Sequence, residues 1–175
     1  SLFIASIASV ALMSSAAYSQ TVGVGTTKGG FTNQAGQSLS KVVSQNTKIQ
    51  MRSQPFGGSS VYVPAMNAGK LEFALVNELE AFYAVTGTGI YPGRKHPNLR
   101  VVSATIPFRV ATFARKSSNI RTLKDLKGKR VPSGWASQKI IIPLMNAQLA
   151  NAGLTYDDVI KVPVASVVKS ANVFA

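Results

Sequence analysis

The sequence has no cysteine, one histidine and only six acidic residues among its 175 positions. Without cysteine, neither a disulfide framework nor a thiolate metal site can form, so a hydrophobic core must hold the fold together. His96 has no second histidine and no carboxylate near it in the sequence, which argues against a metal site or a catalytic triad. We therefore expect His96 to lie in an exposed loop, and we predict no metal and no other cofactor.

The few acids also argue against catalysis. An enzyme would need a nucleophile beside a base, or two carboxylates in one cleft. Three of the acids stand at positions typical of helix caps, and none is close to His96 in the sequence. We predict that the chain is not an enzyme; its acids are Glu72, Glu78, Glu80, Asp125, Asp157 and Asp158.

No apolar run is long enough to span a bilayer comfortably. Residues 1–19 carry no charge, and their apolar stretch, residues 2–13, is short and rich in serine. The segment ends in small residues at the positions that a signal peptidase reads. We predict that residues 1–19 are part of a secretory signal peptide, with a buried core helix as the alternative.

Positive charge is what the sequence has in excess, with 19 Lys and Arg and a formal net charge of +13. Residues 94–130 contain eleven bases against one acid, Asp125. Such a surplus suits a solvated basic face, the steering of an anionic ligand, or the binding of a polyanion such as nucleic acid. Nucleic acid is the weakest of these alternatives, because aromatic residues are not interleaved with the bases as stacking platforms would require.

A strand, a glycine turn and the start of a helix follow one another three times. The turns are residues 26–31, 57–60 and 133–138, and Ser137 is a plausible N-cap in the third. Turns of this kind aim backbone N–H groups beyond the strand ends, and the helix dipole favours negative charge there. We therefore expect the three turns to line one cleft that holds an anion.

The helix after the first turn has a recognisable apolar stripe, which we expect to face the core; its residues are Ala35, Leu39, Val42 and Val43.

The remaining pattern alternates strands with helices, which predicts an α/β fold with mainly parallel sheets. Capping boxes are predicted at Thr122 with Asp125 and at Thr155 with Asp158. Pro143 predicts a kink or a late start in its helix. Further strands are predicted at residues 49–54, 73–76, 99–106, 110–115 and 159–164, and helices at 61–68, 78–85 and 141–152.

The order of several motifs resembles the TAXI-type solute receptors of tripartite ATP-independent periplasmic (TRAP) transporters. The motifs are TVGVGTTKGG, QPFGGSS, KLEFALVNELEAF, SNIRTLKDLKGKRV, SGWASQ and AGLTYDDV, and together they cover nearly all of residues 20–164. The resemblance implies a type II periplasmic-binding-protein fold, in which two α/β lobes close on a small ligand. It also implies a periplasmic receptor without catalytic machinery, which delivers an organic acid or an amino acid such as glutamate to membrane subunits.

Members of that family are longer than this chain, so the resemblance implies a fragment. Residues 20–116 would form lobe one, and residues 117–175 would be the beginning of a truncated lobe two. The mature chain would not itself be inserted in the membrane. An exported enzyme, or a polyanion-binding module that uses residues 94–130, is the alternative reading.

A ligand of open α/β sheets lies beyond the carboxyl ends of the strands, where the three turns are. Lys28 and Arg109 are the cationic candidates for a carboxylate ligand, although Arg109 also fits a place on the basic outer surface. Phe31, Tyr83 and Trp135 would cover apolar parts of the ligand or belong to the core. The full set of predicted ligand-binding residues is Thr26, Thr27, Lys28, Gly29, Gly30, Phe31, Gly58, Ser59, Ser60, Asn77, Arg109, Trp135, Ser137 and Gln138.

Overall fold

The computed structural model describes residues 20–174, which form an α/β protein with two parallel sheets. The mainly parallel α/β prediction is therefore confirmed, and the predicted signal segment, residues 1–19, lies outside the described residues. The strands are β1 (Thr21–Thr27), β2 (Gln50–Phe56), β3 (Phe73–Ala74), β4 (Arg130–Gly134) and β5 (Ile160–Val164). The α-helices are α1 (Gly30–Asn46), α2 (Ser59–Asn67), α3 (Glu78–Thr86), α4 (Ile141–Ala150) and α5 (Val167–Phe174), with short 3₁₀ turns at Lys116–Ser118, Leu123–Leu126 and Tyr156–Asp158.

The first sheet has the order β2-β1-β3, and both outer strands run parallel to β1. β1 is the buried centre, with Val22 and Val24 in the core. Pro55 lies within β2, which is tolerated because β2 is an edge strand and a missing N–H need not break a ladder. The carboxyl ends of these strands lead directly into α1, α2 and α3, as parallel βα connections require.

α1 packs on this sheet through small residues, so the predicted apolar stripe is wrong at Leu39 and Val42, whereas Ala35 and Val43 are half-buried. Gly36 and Ser40 are the buried positions, whereas Leu39 is 40% and Val42 57% exposed. A Cβ on Gly36 would lie only 2.3 Å from Cγ2 of Thr26, so the helix approaches β1 too closely for a larger side chain. The spacing of apolar residues correctly indicated a helix with an apolar side. Close packing at Gly36, however, decides which side of the helix faces the sheet.

The second sheet pairs β4 with β5 in parallel and is covered by α4. α4 begins at Ile141, which leaves Pro143 in its first turn, so the predicted late start is confirmed. Both capping boxes are present on 3₁₀ turns: Thr122 with Asp125, and Thr155 with Asp158.

Residues 99–115 adopt no regular secondary structure, so the two strands predicted there are wrong. A strand needs a neighbour for its N–H and C=O groups, and within residues 20–174 no strand lies beside this segment. The segment has the sequence pattern of a strand but no partner strand within the described residues. Its apolar side chains are largely exposed: Val101, Val102, Ile106, Phe108, Val110 and Phe113.

Two hydrophobic cores correspond to the two sheets. The first is built around Tyr62, Val63 and Leu71, and the second around Trp135, Met145 and Leu149. Tyr83 and Ile90 pack against both cores, so α3 and the loop after it join the two units. Within residues 20–174, no helix combines the length and the hydrophobicity needed to cross a membrane.

His96 is buried at 7% exposure, so its predicted place in an exposed loop is wrong. The loop after α3 folds back, and the backbone N–H of His96 donates to the carbonyl of Ala84 at 2.8 Å. The imidazole packs edge-on against Tyr91, with ring centroids 4.8 Å apart. Turn-forming residues around His96 predicted a loop, but nothing in them indicated that the loop would cover α3.

Candidate functional site

A cleft lies where the two units meet, and segments from all three predicted turns reach it. The cavity volume is about 100 Å³. The first turn contributes Thr27 and Phe31, the second contributes Ser59, and the third contributes Gln138. The remaining walls come from the start of α3, from residues 105–108 and from the start of α4.

The first turn is held by hydrogen bonds between its own residues. The Thr27 hydroxyl donates to the carbonyl of Gly29 at 2.6 Å and lies beside the hydroxyl of Thr32. The side-chain amide of Asn33 donates to the carbonyl of Thr27 at 3.0 Å. Gly30 has φ +74, a left-handed conformation that glycine adopts without strain, and the chain enters α1 there.

The N-terminus of α1 has no side-chain cap. Its N-cap, Gly29, provides no side-chain hydrogen bond, and the first turn of the helix contains no acid. The first backbone N–H groups of a helix have no intrahelical acceptor, so those of Gly30 and Phe31 are available to an anion.

The N-terminus of α2 is built in the same way. Gly58 precedes the helix without a side-chain cap, and no acid lies in the first turn. Ser59 is buried with its hydroxyl beside the Glu80 carboxyl group, whereas Ser60 Oγ accepts the backbone N–H of Lys139 at 3.0 Å. The second turn therefore contributes to the cleft and also touches the other unit.

The third turn does not begin a helix, so the prediction of Ser137 as an N-cap is wrong. The Ser137 N–H donates to the carbonyl of Ala165 at 3.0 Å, and α4 begins only at Ile141. The N–H groups of Ile141 and Ile142 donate to the carbonyls of Gln138 and Lys139, so α4 offers fewer free donors than α1 or α2. The reason is Pro143: since it must lie in the first turn, the residues before it form a separate turn.

Gln138 and Asn77 are predicted site residues that line the cleft and also fasten backbone. Gln138 Oε1 accepts the N–H of Val167 at 3.2 Å, at the start of α5. Asn77 is the N-cap of α3, and its side-chain oxygen accepts the N–H of Leu79 at 3.0 Å. α3 thus has the side-chain cap that α1 and α2 lack.

Other predicted site residues do not line the cleft. Thr26 is fully buried beneath α1, with its hydroxyl 3.3 Å from that of Ser53. Trp135 belongs to the second core, and its indole N–H donates to the Tyr156 hydroxyl at 3.3 Å. Lys28 and Arg109 are exposed, although Phe108 beside Arg109 does reach the cleft. Whether these residues touch a ligand stays a prediction.

Sequence reasoning did not include Glu80 among the site residues. Glu80 lies in the first turn of α3, lines the cleft and is fully buried. Its Oε1 accepts the hydroxyl of Tyr91 at 2.9 Å, and the Ser59 hydroxyl also lies beside the carboxyl group. Burial raises the pKa of the Glu80 carboxyl, and nearby hydroxyls of Ser59 and Tyr91 offset part of that effect. The sequence does offer one signal for this residue: Glu80 is an acid directly before the apolar residues 81–85.

Buried tyrosines surround this acid. The Tyr62 hydroxyl donates to the carbonyl of Leu75 at 2.6 Å, and Tyr62 also lines the cleft. Burial and the negative charge of Glu80 raise the pKa values of both Tyr62 and Tyr91, so both remain neutral donors. Within residues 20–174, no group of three or more histidines and acids is placed to hold a metal ion.

The cleft therefore combines two helix N-termini without side-chain caps, apolar walls and one buried acid. A family model described as the NMT1-like family matches residues 22–174, which includes every residue of the cleft.

Proposed function

We propose that this chain, which belongs to the NMT1-like family within the periplasmic solute-binding superfamily, binds a small carboxylate in the cleft. The family is typically extracytoplasmic, and its solute-binding character is consistent with a chain that is not an enzyme. The observation that carries the proposal is the pair of uncapped helix N-termini, α1 and α2, at one cleft.

A carboxylate suits these two helix ends. It accepts several N–H groups at once, and charge-assisted hydrogen bonds of this kind contribute about 1.5 to 3 kcal/mol each. The N–H groups of residues 29–31 and 59–60 would hold the carboxylate, with hydroxyl groups of Thr27 and Ser59 beside them. Lys28 and Arg109 would act from the rim, by raising the local concentration of anions.

The cleft lies between two units, which favours a binding cycle with lobe closure. We place the boundary near residue 116, so that residues 20–116 form lobe one and the following residues belong to lobe two. The direct contacts between the second and third turns would then be made on closure, because the turns belong to different lobes. A ligand between them would be enclosed from both sides.

The proposal also extends to the transport system that the receptor serves. The resemblance of the ordered motifs to TAXI-type receptors supports delivery to TRAP-type membrane subunits, which would place the chain in the periplasm after removal of residues 1–19. Reconstituted membrane subunits with this receptor should take up the solute under an ion gradient without ATP. Uptake that requires ATP would assign the receptor to another class of transporter.

The binding step is tested by thermal unfolding in the presence of dicarboxylates, keto acids, monocarboxylates and amino acids. A ligand at 100 times its dissociation constant should add about 2.7 kcal/mol to the free energy of unfolding. The methyl ester of each active compound is the matched control, because it keeps the shape and loses the negative charge. Equal stabilisation by acid and ester, or none by any carboxylate, would contradict the proposal.

The same assay covers the alternative that the basic residues 94–130 bind a polyanion. Heparin and single-stranded DNA serve as probes. Stabilisation by these polymers that disappears with salt, together with no response to small carboxylates, would favour the polyanion-binding module.

A further inference from the structure

Glu80 is a buried acid in the wall of the cleft, and no cation balances its charge. Its carboxyl group accepts the Tyr91 hydroxyl at 2.9 Å, and the Ser59 hydroxyl lies beside it. Glu80 forms no salt bridge with any residue between 20 and 174. An ionised Glu80 is therefore stabilised by neutral dipoles alone, which makes its charge sensitive to any second charge nearby.

Glu80 also lies next to the N-terminus of α2. Ser59, whose hydroxyl is beside the Glu80 carboxyl group, is the first residue of that helix, and both residues line the cleft. Gly58 gives α2 no side-chain cap, and the first turn of α2 contains no acid of its own. The helix end that we propose to hold the solute carboxylate thus already has the acid of a neighbouring helix beside it.

One helix end cannot balance two negative charges. A helix N-terminus carries about half a unit of positive charge, and like charges in a site of low dielectric constant repel over several ångströms, without contact. Protonation of Glu80 removes the repulsion. The neutral carboxyl group still accepts the Tyr91 hydroxyl, and its own O–H can donate to the Ser59 hydroxyl.

We propose that carboxylate binding in the cleft is coupled to protonation of Glu80, so that a proton from solvent is taken up with the solute anion. This inference rests on the proposed function, because it assumes that the cleft is the binding site. Glu80 does not touch the solute; the charge of the solute acts on it through space, at the N-terminus of α2. Affinity should fall as pH rises, by at most about tenfold per pH unit, because one proton is involved.

Few other groups around the cleft can take up that proton. Among the described residues that line the cleft, only Glu80 and Tyr62 are titratable. Burial and the charge of Glu80 raise the pKa values of Tyr62 and Tyr91, so both tyrosines stay neutral, and His96 packs against the Tyr91 ring. Burial also raises the pKa of Glu80 itself, and a bound anion would raise it further.

Titration calorimetry tests the coupling with four probes: succinate, pyruvate, 4-methylpentanoate and leucine. Each is titrated from about pH 5 to about pH 9, a range that begins near the ordinary pKa of a glutamate. Bis-Tris and Tris at one shared pH count the protons, because their heats of ionisation differ and neither cation competes with an anion. Glu80→Gln is the neutral variant of similar shape, and Glu78→Gln, an exposed acid in the same helical turn, is the control.

We expect the wild-type protein to take up a proton on binding and to lose affinity as pH rises. Glu80→Gln should take up none and should bind about tenfold to a hundredfold more tightly than the wild type at the high end of the range, the equivalent of one to two pKa units. Glu78→Gln should keep the wild-type profile. Titration of the probes themselves cancels between proteins, and thermal unfolding verifies that each variant folds.

Tyr91→Phe provides a second test that leaves Glu80 in place. The variant keeps the aromatic ring and removes the hydroxyl that donates to Glu80. Because the ionised carboxylate loses a donor, the pKa of Glu80 should rise, and the fall in affinity should move to higher pH. An unshifted profile in a folded Tyr91→Phe protein would mean that another group takes up the proton.

The outcomes separate this inference from the proposed function. If carboxylates bind without proton uptake, or with the same uptake in the wild type and Glu80→Gln, the coupling is overturned while carboxylate binding stands. Weaker binding by Glu80→Gln at every pH would make Glu80 a purely structural residue and would also overturn the coupling. If none of the four probes binds at any pH, the proposed function fails and the inference fails with it.

Discussion

Gly58 lies directly against the backbone of Ser137: a Cβ atom on Gly58 would stand 2.0 Å from the Ser137 carbonyl oxygen. The second turn of the first unit and the third turn of the other are therefore in backbone contact. A neighbouring hydrogen bond from the Lys139 N–H to Ser60 Oγ, at 3.0 Å, fastens the same junction. This contact depends on the absence of a side chain at residue 58.

Gly58→Ala should therefore hinder closure. A methyl group cannot move away from a backbone carbonyl as it could from the end of a flexible side chain, so we expect the closed form to lose about 1 to 3 kcal/mol. Ligand affinity measured by calorimetry should fall by about fivefold to 150-fold.

Gly57→Ala is the matched control for that variant. Its Cβ would lie 3.5 Å from the Ser137 Cβ, an ordinary contact, so affinity should be unchanged. Equal affinities for the two alanine variants would mean that the lobes do not need this contact to bind ligand.

Gly36→Ala tests the close approach of α1 to β1. Helix propensity favours alanine over glycine by about 1 kcal/mol, but the new Cβ would lie 2.3 Å from Cγ2 of the fully buried Thr26. Because a β-branched side chain in a packed core cannot turn aside, we expect overpacking to outweigh the gain in helix propensity. The free energy of unfolding should fall by about 1 to 3 kcal/mol.

Chemical denaturation measures that cost. Ser38→Ala, at an exposed position of the same helix, should stay within about 0.5 kcal/mol of the wild type. A stabilised Gly36→Ala protein would show that α1 packs less tightly on the sheet than the structure indicates.

The buried Glu80 should make stability depend on pH in a defined direction. Its pKa in the folded protein is raised above the ordinary value of 4.5, so between the two values the folded state holds a proton that the unfolded state releases. Unfolding free energy from this group therefore falls as pH rises above about 4.5 and reaches its minimum above the folded pKa.

Glu80→Gln removes that dependence. The unfolding free energy of the variant minus that of the wild type should rise from pH 4 toward pH 8, while the contributions of the capping acids Asp125 and Asp158 cancel in the difference. A difference that stays constant over this range would mean that Glu80 has the same pKa in both states.

We expect Arg109 and Lys28 to speed the association of an anionic ligand rather than to contact the bound ligand. Both are exposed and neither lines the cleft, so Arg109→Lys should leave the dissociation constant unchanged at high salt. Lys28→Ala should slow association at low salt, and added salt should remove the effect. A large, salt-independent loss in Arg109→Lys would show instead that the guanidinium grips the carboxylate bidentately.

Local signals in the sequence predicted much of this structure. The capping boxes at Thr122 and Thr155 and the late start of α4 at Pro143 depend on neighbouring residues only, and each is present. The positions of the first two turns at helix starts follow from their glycines in the same way.

What the sequence did not predict depends on distant partners. His96 is buried because its loop folds back on α3, and Gly36 rather than Leu39 faces the sheet because of Thr26 across the interface. Residues 99–115 have the alternation of a strand but lack a neighbouring strand within residues 20–174. In the sequence Glu80 is one of a few scattered acids, and only the folded structure brings it beside Tyr62 and Tyr91.

The most direct test of the central claim is to observe the backbone N–H groups themselves. In ¹⁵N-labelled protein titrated with the carboxylate that stabilises it most, we expect the largest amide shifts at residues 27–32 and 59–61, at the open ends of α1 and α2. The exposed bases of residues 94–130 should shift little. The largest shifts on that basic stretch, with α1 and α2 unchanged, would contradict the account.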